Sequence, residues 1–413
     1  MGSKKRWSIC VSVGAMMATV VIGGCSSSSG SANTAAAGGK ASCPINILLV
    51  DNFSGSGSQN GSANLAGENV AINDVNKSGG VLGCPLKLTT VDDNSNYNTT
   101  LPLLEAALAK QNYPLVSVSD YSATSVAPYL NRQKVLTIGG ASSVGYSEPG
   151  GPYPYDFDTN FVTAKPDLAA LDSLIAKGYK RVAIIVDNTA TGASDLKAMI
   201  PAAKSAGVTI TDTERIDLSG VDFTSAVERA RASNPDALLY DASYTAAAHL
   251  ETDIHTIGWK IPVVAGMTAS ATNFQGLIPE SYLTGQYIFG PASMAYPSEG
   301  AMQDFVTSLK NSGVNIDNFL FGYSSQYDAV IEFAWAANQT HSLNSQTLAN
   351  YLHQHGSATV PGLAGGTSTG YTPTSGEWNG QLAMMRAGYY NDGRLDSVGA
   401  YINAPSLPAG FFS

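Results

Sequence analysis

The chain has 413 residues, 44% hydrophobic and only 13% charged, with 22 basic and 32 acidic residues and a net charge of −10. This is a globular composition, long enough for two domains with their own cores. An acidic chain without a basic cluster argues against nucleic acid as a partner and against a polybasic membrane face.

The first 24 residues stand apart. Lys4, Lys5 and Arg6 form a basic start, and Ile9 to Gly23 form an apolar stretch too short for a stable membrane anchor. The stretch ends in "VIGGCSSSSG". Small residues before a cysteine, followed by a flexible polar run, resemble a bacterial lipoprotein signal. Residues 1–24 are then the signal and Cys25 carries the lipid, which places the chain at the outer face of the bacterial cytoplasmic membrane. An ordinary secretory signal with an incidental cysteine is the plainer alternative. Loss of three basic residues and no acidic one takes the net charge from −10 to −13. Residues 25–42, rich in Ser, Gly and Ala, read as a flexible tether.

From Cys43 onward, apolar runs alternate with helical patterns. Strands are expected at "INILLV", "LKLTTV", "PLVSV", "KVLTI", "RVAIIV", "VTITDTERI", "DALLY" and "PVVAG". Helices are expected between them over 63–76, 100–110, 166–177, 195–206, 223–232 and 245–257. Leu65, Ile72 and Val75 fall at helical spacing, as do Leu101, Leu104, Ala107 and Leu108. Continuous apolar strands alternating with helices predict parallel sheets covered on both faces. The class is α/β, and the pattern runs twice.

The two runs meet near "YPYDFDTNF", residues 153–161, and "GQYIFGPASMAYPS", residues 285–298, makes a second break. Helices follow over 299–312, 321–337 and 343–354, and the end reads as turns and antiparallel strands. The expected organisation is a first lobe over 43–158 that returns over 289–365. A second lobe covers 159–288, and residues 366–413 hold a crossover and the rest of that lobe.

The loop "DNFSGSGSQNGSANLAGENV", residues 51–70, follows the first strand and precedes a helix, as many nucleotide loops do. It fails as a dinucleotide fingerprint, because Asn60 stands where the third glycine belongs and Gly61 comes one residue late. No phosphate-binding G-x-x-x-x-G-K-[ST] is present, and the one G-x-S-x-G, "GTSTG" at residues 366–370, lies in a turn-rich stretch with no apolar strand before it. His249, His255, His341, His353 and His355 lie on helix candidates or their ends, so no metal site and no cofactor is expected. A secreted hydrolase remains the enzyme alternative.

What the loop resembles is the start of a solute-binding protein. "FSGSGSQNGSANLAGENVAINDVNKSGGVLGCPLKLTTVDDNSN" is similar to the branched-chain-amino-acid type of the periplasmic-binding-protein type I family. The likeness continues through "SATSVAPYLNRQKVLTIGGASS", "RVAIIVDNTATGASDLKAMIPAAKSAGVTI" and "DFTSAVERARASNPDALLY", over roughly residues 44–395. The resemblance implies two Rossmann-like lobes with parallel sheets, a three-strand hinge and a small-molecule solute in the cleft between them. Ligands of open α/β sheets sit beyond the carboxyl ends of the strands, where helix N-termini favour a carboxylate.

By the same resemblance the first lobe offers Ser54 and Asn60, then Ser122 or Thr124 at the third helix, with Tyr121 beside them. It also offers Ala141, Ser142 and Ser143 after the fourth strand. The second lobe offers Thr191, Tyr244 and Thr268. Relatives that bind amino acids carry a glutamate where Thr268 stands, so an α-amino acid is disfavoured here and a small carboxylate, amide or aromatic acid gains. Asp241 and Glu280 are near in sequence, but neither can be placed from sequence. The implied protein is a lipid-anchored, monomeric, non-enzymatic solute-binding component that hands its ligand to an ABC transporter permease. A sensor subunit of the same fold is the alternative.

Once Cys10 leaves with the signal and Cys25 takes the lipid, Cys43 and Cys84 remain as one pair in an oxidising compartment. Each precedes a proline and then a strand, "CPINILLV" and "CPLKLTTV". If the two strands are parallel neighbours, the cysteines sit within disulfide reach. Two unpaired thiols or half of a metal site are the alternatives.

Overall fold

Each apolar run becomes a strand, and most strands reach the next through a helix. The computed structural model describes residues 42–400 apart from 56, 119, 140–152, 161–163, 298–299, 317–318, 357–359, 361, 365–370, 372–375 and 377–381. The first sheet contains β1 (Ile45–Asp51), β2 (Leu86–Asp92), β3 (Val116–Val118), β4 (Thr137–Gly139) and β5 (Asp156–Asp158). Their order is β2-β1-β3-β4-β5 and every pairing is parallel.

Parallel strands buried on both faces need apolar side chains pointing both ways. Ile47, Leu48, Leu49 and Val50 accordingly show no exposed surface. Full burial of such a side chain contributes roughly 1.5–3 kcal/mol. One face is covered by α2 (Thr100–Lys110) and α3 (Asp120–Arg132), the other by α1 (Ser58–Lys77) and returning helices. These are α8 (Ala301–Asn311), α9 (Leu320–Thr340) and α10 (Ser345–His355). Gly67 lets α1 approach α9, since a Cβ there would lie 1.8 Å from the Tyr323 carbonyl oxygen. The α1 contact therefore runs through Gly67, Val70 and Ala71, while Leu65 stays only partly buried.

The second sheet contains β6 (Arg181–Asp187), β7 (Thr209–Ile216), β8 (Ala237–Asp241), β9 (Val263–Ala265) and β10 (Tyr287–Pro291), all parallel. The helices α4 (Ala164–Ala176), α5 (Ala190–Ser205), α6 (Thr224–Ala232) and α7 (Tyr244–Thr256) belong to this lobe. The sheet is extended by β11 (Ala295–Tyr296), β12 (Leu382–Arg386) and β13 (Leu395–Ala400), in the order β11-β13-β12-β10-β9-β8-β6-β7. The strands β12 and β13 are antiparallel, as the C-terminal sequence predicts.

Both sequence breaks hold strands. Residues 153–161 contain β5, the edge of the first sheet. The boundary expected after residue 288 falls inside β10, which pairs with β9 on one side and β12 on the other. Short strands flanked by proline and aromatic residues lose the apolar run by which the longer ones are recognised. The crossover segments are fastened to one another: the Asp158 N–H donates to the Gly376 carbonyl at 2.8 Å. The Tyr371 hydroxyl lies 2.7 Å from both the Asp158 carbonyl oxygen and Glu332 Oε2.

Cys43 and Cys84 form a disulfide with their Cα atoms 5.1 Å apart. Ile45 pairs with Leu86, so each cysteine sits two residues before the same rung of parallel neighbours. No helix among the described residues is long and apolar enough to cross a membrane.

Candidate functional site

The order β2-β1-β3-β4-β5 is repeated by β7-β6-β8-β9-β10, so each lobe reverses its winding direction once. The reversals fall between β1 and β3 and between β6 and β8. Chain leaves the carboxyl ends of such strand pairs in opposite directions, opening a crevice where ligands bind. Four apolar strands end in aspartate: Asp51 and Asp92, paired across β1 and β2, then Asp187 on β6 and Asp241 on β8.

On the first lobe, Asp51 accepts from Asn64 Nδ2 and from the Asn52 N–H, both at 2.7 Å. Burial pushes its carboxyl up to about 7, against those hydrogen bonds. One helical turn past Asn64, burial and then the Asp51 charge push Glu68 well above the carboxylate range. Asn52 has neither side-chain polar atom in a hydrogen bond, nor has Asn60 Oδ1, although both residues are buried. Gly57 makes room for Asn52, because a Cβ there would stand 1.7 Å from its Nδ2.

Ser54 lies in the loop after β1. Its hydroxyl sits 2.6 Å from Asp92 Oδ2 and 2.7 Å from Asn94 Oδ1, which ties this loop to the end of β2. Ser122 is fully buried on α3, its Oγ 3.0 Å from Asp93 Oδ2 and 2.9 Å from Thr100 Oγ1. Its hydroxyl thus joins three elements. It lies inside the first turn of the helix. Tyr121 and Thr124 share α3, with side chains outside the described residues, and Ala141, Ser142, Ser143 and Cys25 lie outside them altogether.

On the second lobe, Thr191, Tyr244 and Thr268 stand just beyond β6, β8 and β9. Thr189 caps α5 and accepts from the Thr191 N–H at 3.2 Å, while Asp187 Oδ1 accepts from the Thr189 N–H at 2.8 Å. Tyr244 opens α7 with φ of 58°, in the left-handed region. That conformation costs a tyrosine on the order of 1 kcal/mol, and such strain persists where the surrounding structure fixes it, often at functional sites. The Thr268 N–H donates to Asp241 Oδ1 at 2.9 Å. Glu280 is placed away from this edge, its Oε1 accepting from the Tyr389 N–H at 3.0 Å.

Sequence reasoning overlooked Asn52, Asp93, Asp167 and Asp187, and could not place Asp241. Its available signal was the acid closing each apolar run, as in "LLVD", "TTVDD", "IIVD" and "LLYD".

Two sheets whose parallel strands share one order, with polar groups gathered at their carboxyl edges, define a two-lobed binding protein. The chain belongs to the periplasmic binding protein family, whose model matches residues 44–394. It is similar to the periplasmic binding protein type 1 from Bordetella pertussis Tohama I, with TM-score 0.76 and 18% identity over 86% of this chain and 100% of that one. A branched chain amino acid ABC transporter protein from Thermus thermophilus with bound valine gives TM-score 0.76 and 16% identity, over 86% and 95%. A solute binding protein of an ABC transporter from Rhodopseudomonas palustris, in complex with 3,4-dihydroxybenzoic acid, gives TM-score 0.73 and 17% identity, over 86% and 96%. A comparison with curated proteins finds no match.

Proposed function

We propose that the protein is the extracytoplasmic solute-binding component of an ABC importer, anchored through a lipid on Cys25. In this reading it has no catalytic activity and works as a monomer. It captures a small polar or carboxylate-bearing solute between the lobes and delivers it to a membrane permease. The observation that carries the reading is the buried set of unpartnered polar atoms, both of Asn52 and Oδ1 of Asn60, at the reversal point of the first sheet. Buried amide groups are normally hydrogen-bonded, so polar atoms without a partner in the chain mark where a polar ligand completes the set. Thr268, which holds no charge, favours an acid or an amide over a zwitterion. The similar structures carrying valine and 3,4-dihydroxybenzoic acid show that this fold accommodates both chemistries. A native mass spectrum of protein taken from its host tests the reading. A co-purified small acid or amide supports it, and turnover of any candidate solute contradicts it.

A further inference from the structure

Under the reversal point of the second sheet, Asp167 on α4, Asp195 on α5 and Asp241 at the end of β8 each present one carboxylate oxygen, all within 4.8 Å of one another. All three residues are buried, with relative exposures of 0%, 0% and 1%. Like charges in so small a volume oppose one another, and each desolvated carboxylate costs several kcal/mol without a counter-charge. Among the described residues, no ion pair reaches Asp167 or Asp241.

A second observation concerns where Asp167 points. Neither of its oxygens makes a hydrogen bond of normal geometry, and Asp241 Oδ2 makes none. A Cβ on Gly266 would lie 1.9 Å from Asp167 Oδ1 and 2.5 Å from Asp241 Oδ1, so both oxygens face the same small volume beside the Gly266 backbone. The wholly buried Asp167 side chain is thus aimed into the cluster, where its oxygens have no hydrogen bond of normal geometry and the Met267 backbone N–H is a weak partner.

We propose that Asp167, Asp195 and Asp241 bind a divalent cation of the calcium class. Hard oxygen donors suit calcium or magnesium. Two oxygens on one calcium ion, each at about 2.4 Å, stand at most about 4.8 Å apart, a limit these oxygens meet. A buried site of protein carboxylates favours calcium, because magnesium gives up its waters reluctantly. The ion joins α4, α5 and the end of β8, and so stiffens the edge of the second lobe that faces the expected solute. Without it, burial first and then the Asp241 and Asp195 charges drive Asp167 toward its protonated form.

The test uses the full chain, stripped with EGTA and titrated with calcium chloride or magnesium chloride by calorimetry and thermal unfolding. We expect one calcium ion per chain, a rise in Tm with calcium and a smaller one with magnesium. Asp167→Asn and Asp241→Asn should each weaken calcium binding at least tenfold. Asp167→Asn should unfold no earlier than the wild type in EGTA, because it removes a like charge. If one variant does not fold, the other and the wild-type titration still decide the matter. Absence of calcium binding by the wild type overturns the site. Unchanged calcium affinity in the folded variants places the ion elsewhere and overturns it equally.

Discussion

The backbone N–H of Thr268 donates to Asp241 Oδ1 at 2.9 Å, which fixes the start of the turn after β9 against the end of β8. The amide supplies one hydrogen bond to a buried acid whose pKa burial raises. Buried and held by this amide, that acid does not replace an exposed glutamate opposite a ligand ammonium group. Leucine, isoleucine and valine should therefore raise Tm little, and small or aromatic acids should raise it more. A ligand at 100 times its Kd adds about 2.7 kcal/mol of stability. A thermal-shift screen decides this, and a large shift with branched-chain amino acids alone would reverse the assignment.

Ser122 separates a structural from a binding role. Its hydroxyl joins Asp93 and Thr100 with no exposure to solvent. Ser122→Ala should cost roughly 1–3 kcal/mol of stability by leaving buried partners short of a hydrogen bond. The solute-induced shift in Tm should survive. Unchanged stability with the solute response lost would make Ser122 a ligand contact.

Closure of the lobes is expected because the chain passes between the sheets three times, and two of these passages are fastened together at Asp158, Gly376 and Tyr371. A ligand that contacts both lobes favours the closed state by its differential affinity for it. Solution scattering should give a smaller radius of gyration with solute than without. Identical curves at saturation would remove the mechanism.

The disulfide should act on the unfolded chain. It closes a sequence separation of 41 residues, worth about 4 kcal/mol in the chain-entropy model before any strain. Replacing Cys43 and Cys84 by Ser should lower stability by that order, measured by urea unfolding. Because the bridge precedes β1 and β2, at the edge opposite Asp51 and Asp92, solute affinity should be unchanged.

Stability should fall as pH rises. Burial lifts Asp51 from the ordinary carboxylate range to about 7, and burial likewise lifts Glu251 to about 7. Below about pH 4 both states are protonated, so these groups favour neither. Between about pH 4 and 7 the unfolded chain loses the protons that the folded chain keeps, which stabilises the unfolded state. In EGTA, the urea midpoint should be higher at pH 5 than at pH 8, and Asp51→Asn should flatten the slope. A midpoint that rises across this range would show that other carboxylates dominate.

The sequence alone determined the α/β class and the two runs of strands and helices, and made Cys43 and Cys84 the expected pair, which the parallel pairing of β1 and β2 then brought together. Each of these rests on local chemistry: continuous apolar runs, helical spacing and two Cys-Pro steps before matching strands. Most helices lie within a few residues of their expected bounds, because α2 and α7 carry their apolar faces in their own sequence. Tertiary structure decided the direction of side chains. Ser54 and Ser122 look like ligand contacts in the sequence, yet their hydroxyls meet Asp92 and Asp93, brought up by a neighbouring strand. Asp167, Asp195 and Asp241 are up to 74 residues apart in the chain, and only the stacking of α4 and α5 against β8 brings their oxygens within 4.8 Å. A period of apolar residues records which face of an element is buried, but not which polar groups from distant segments meet there.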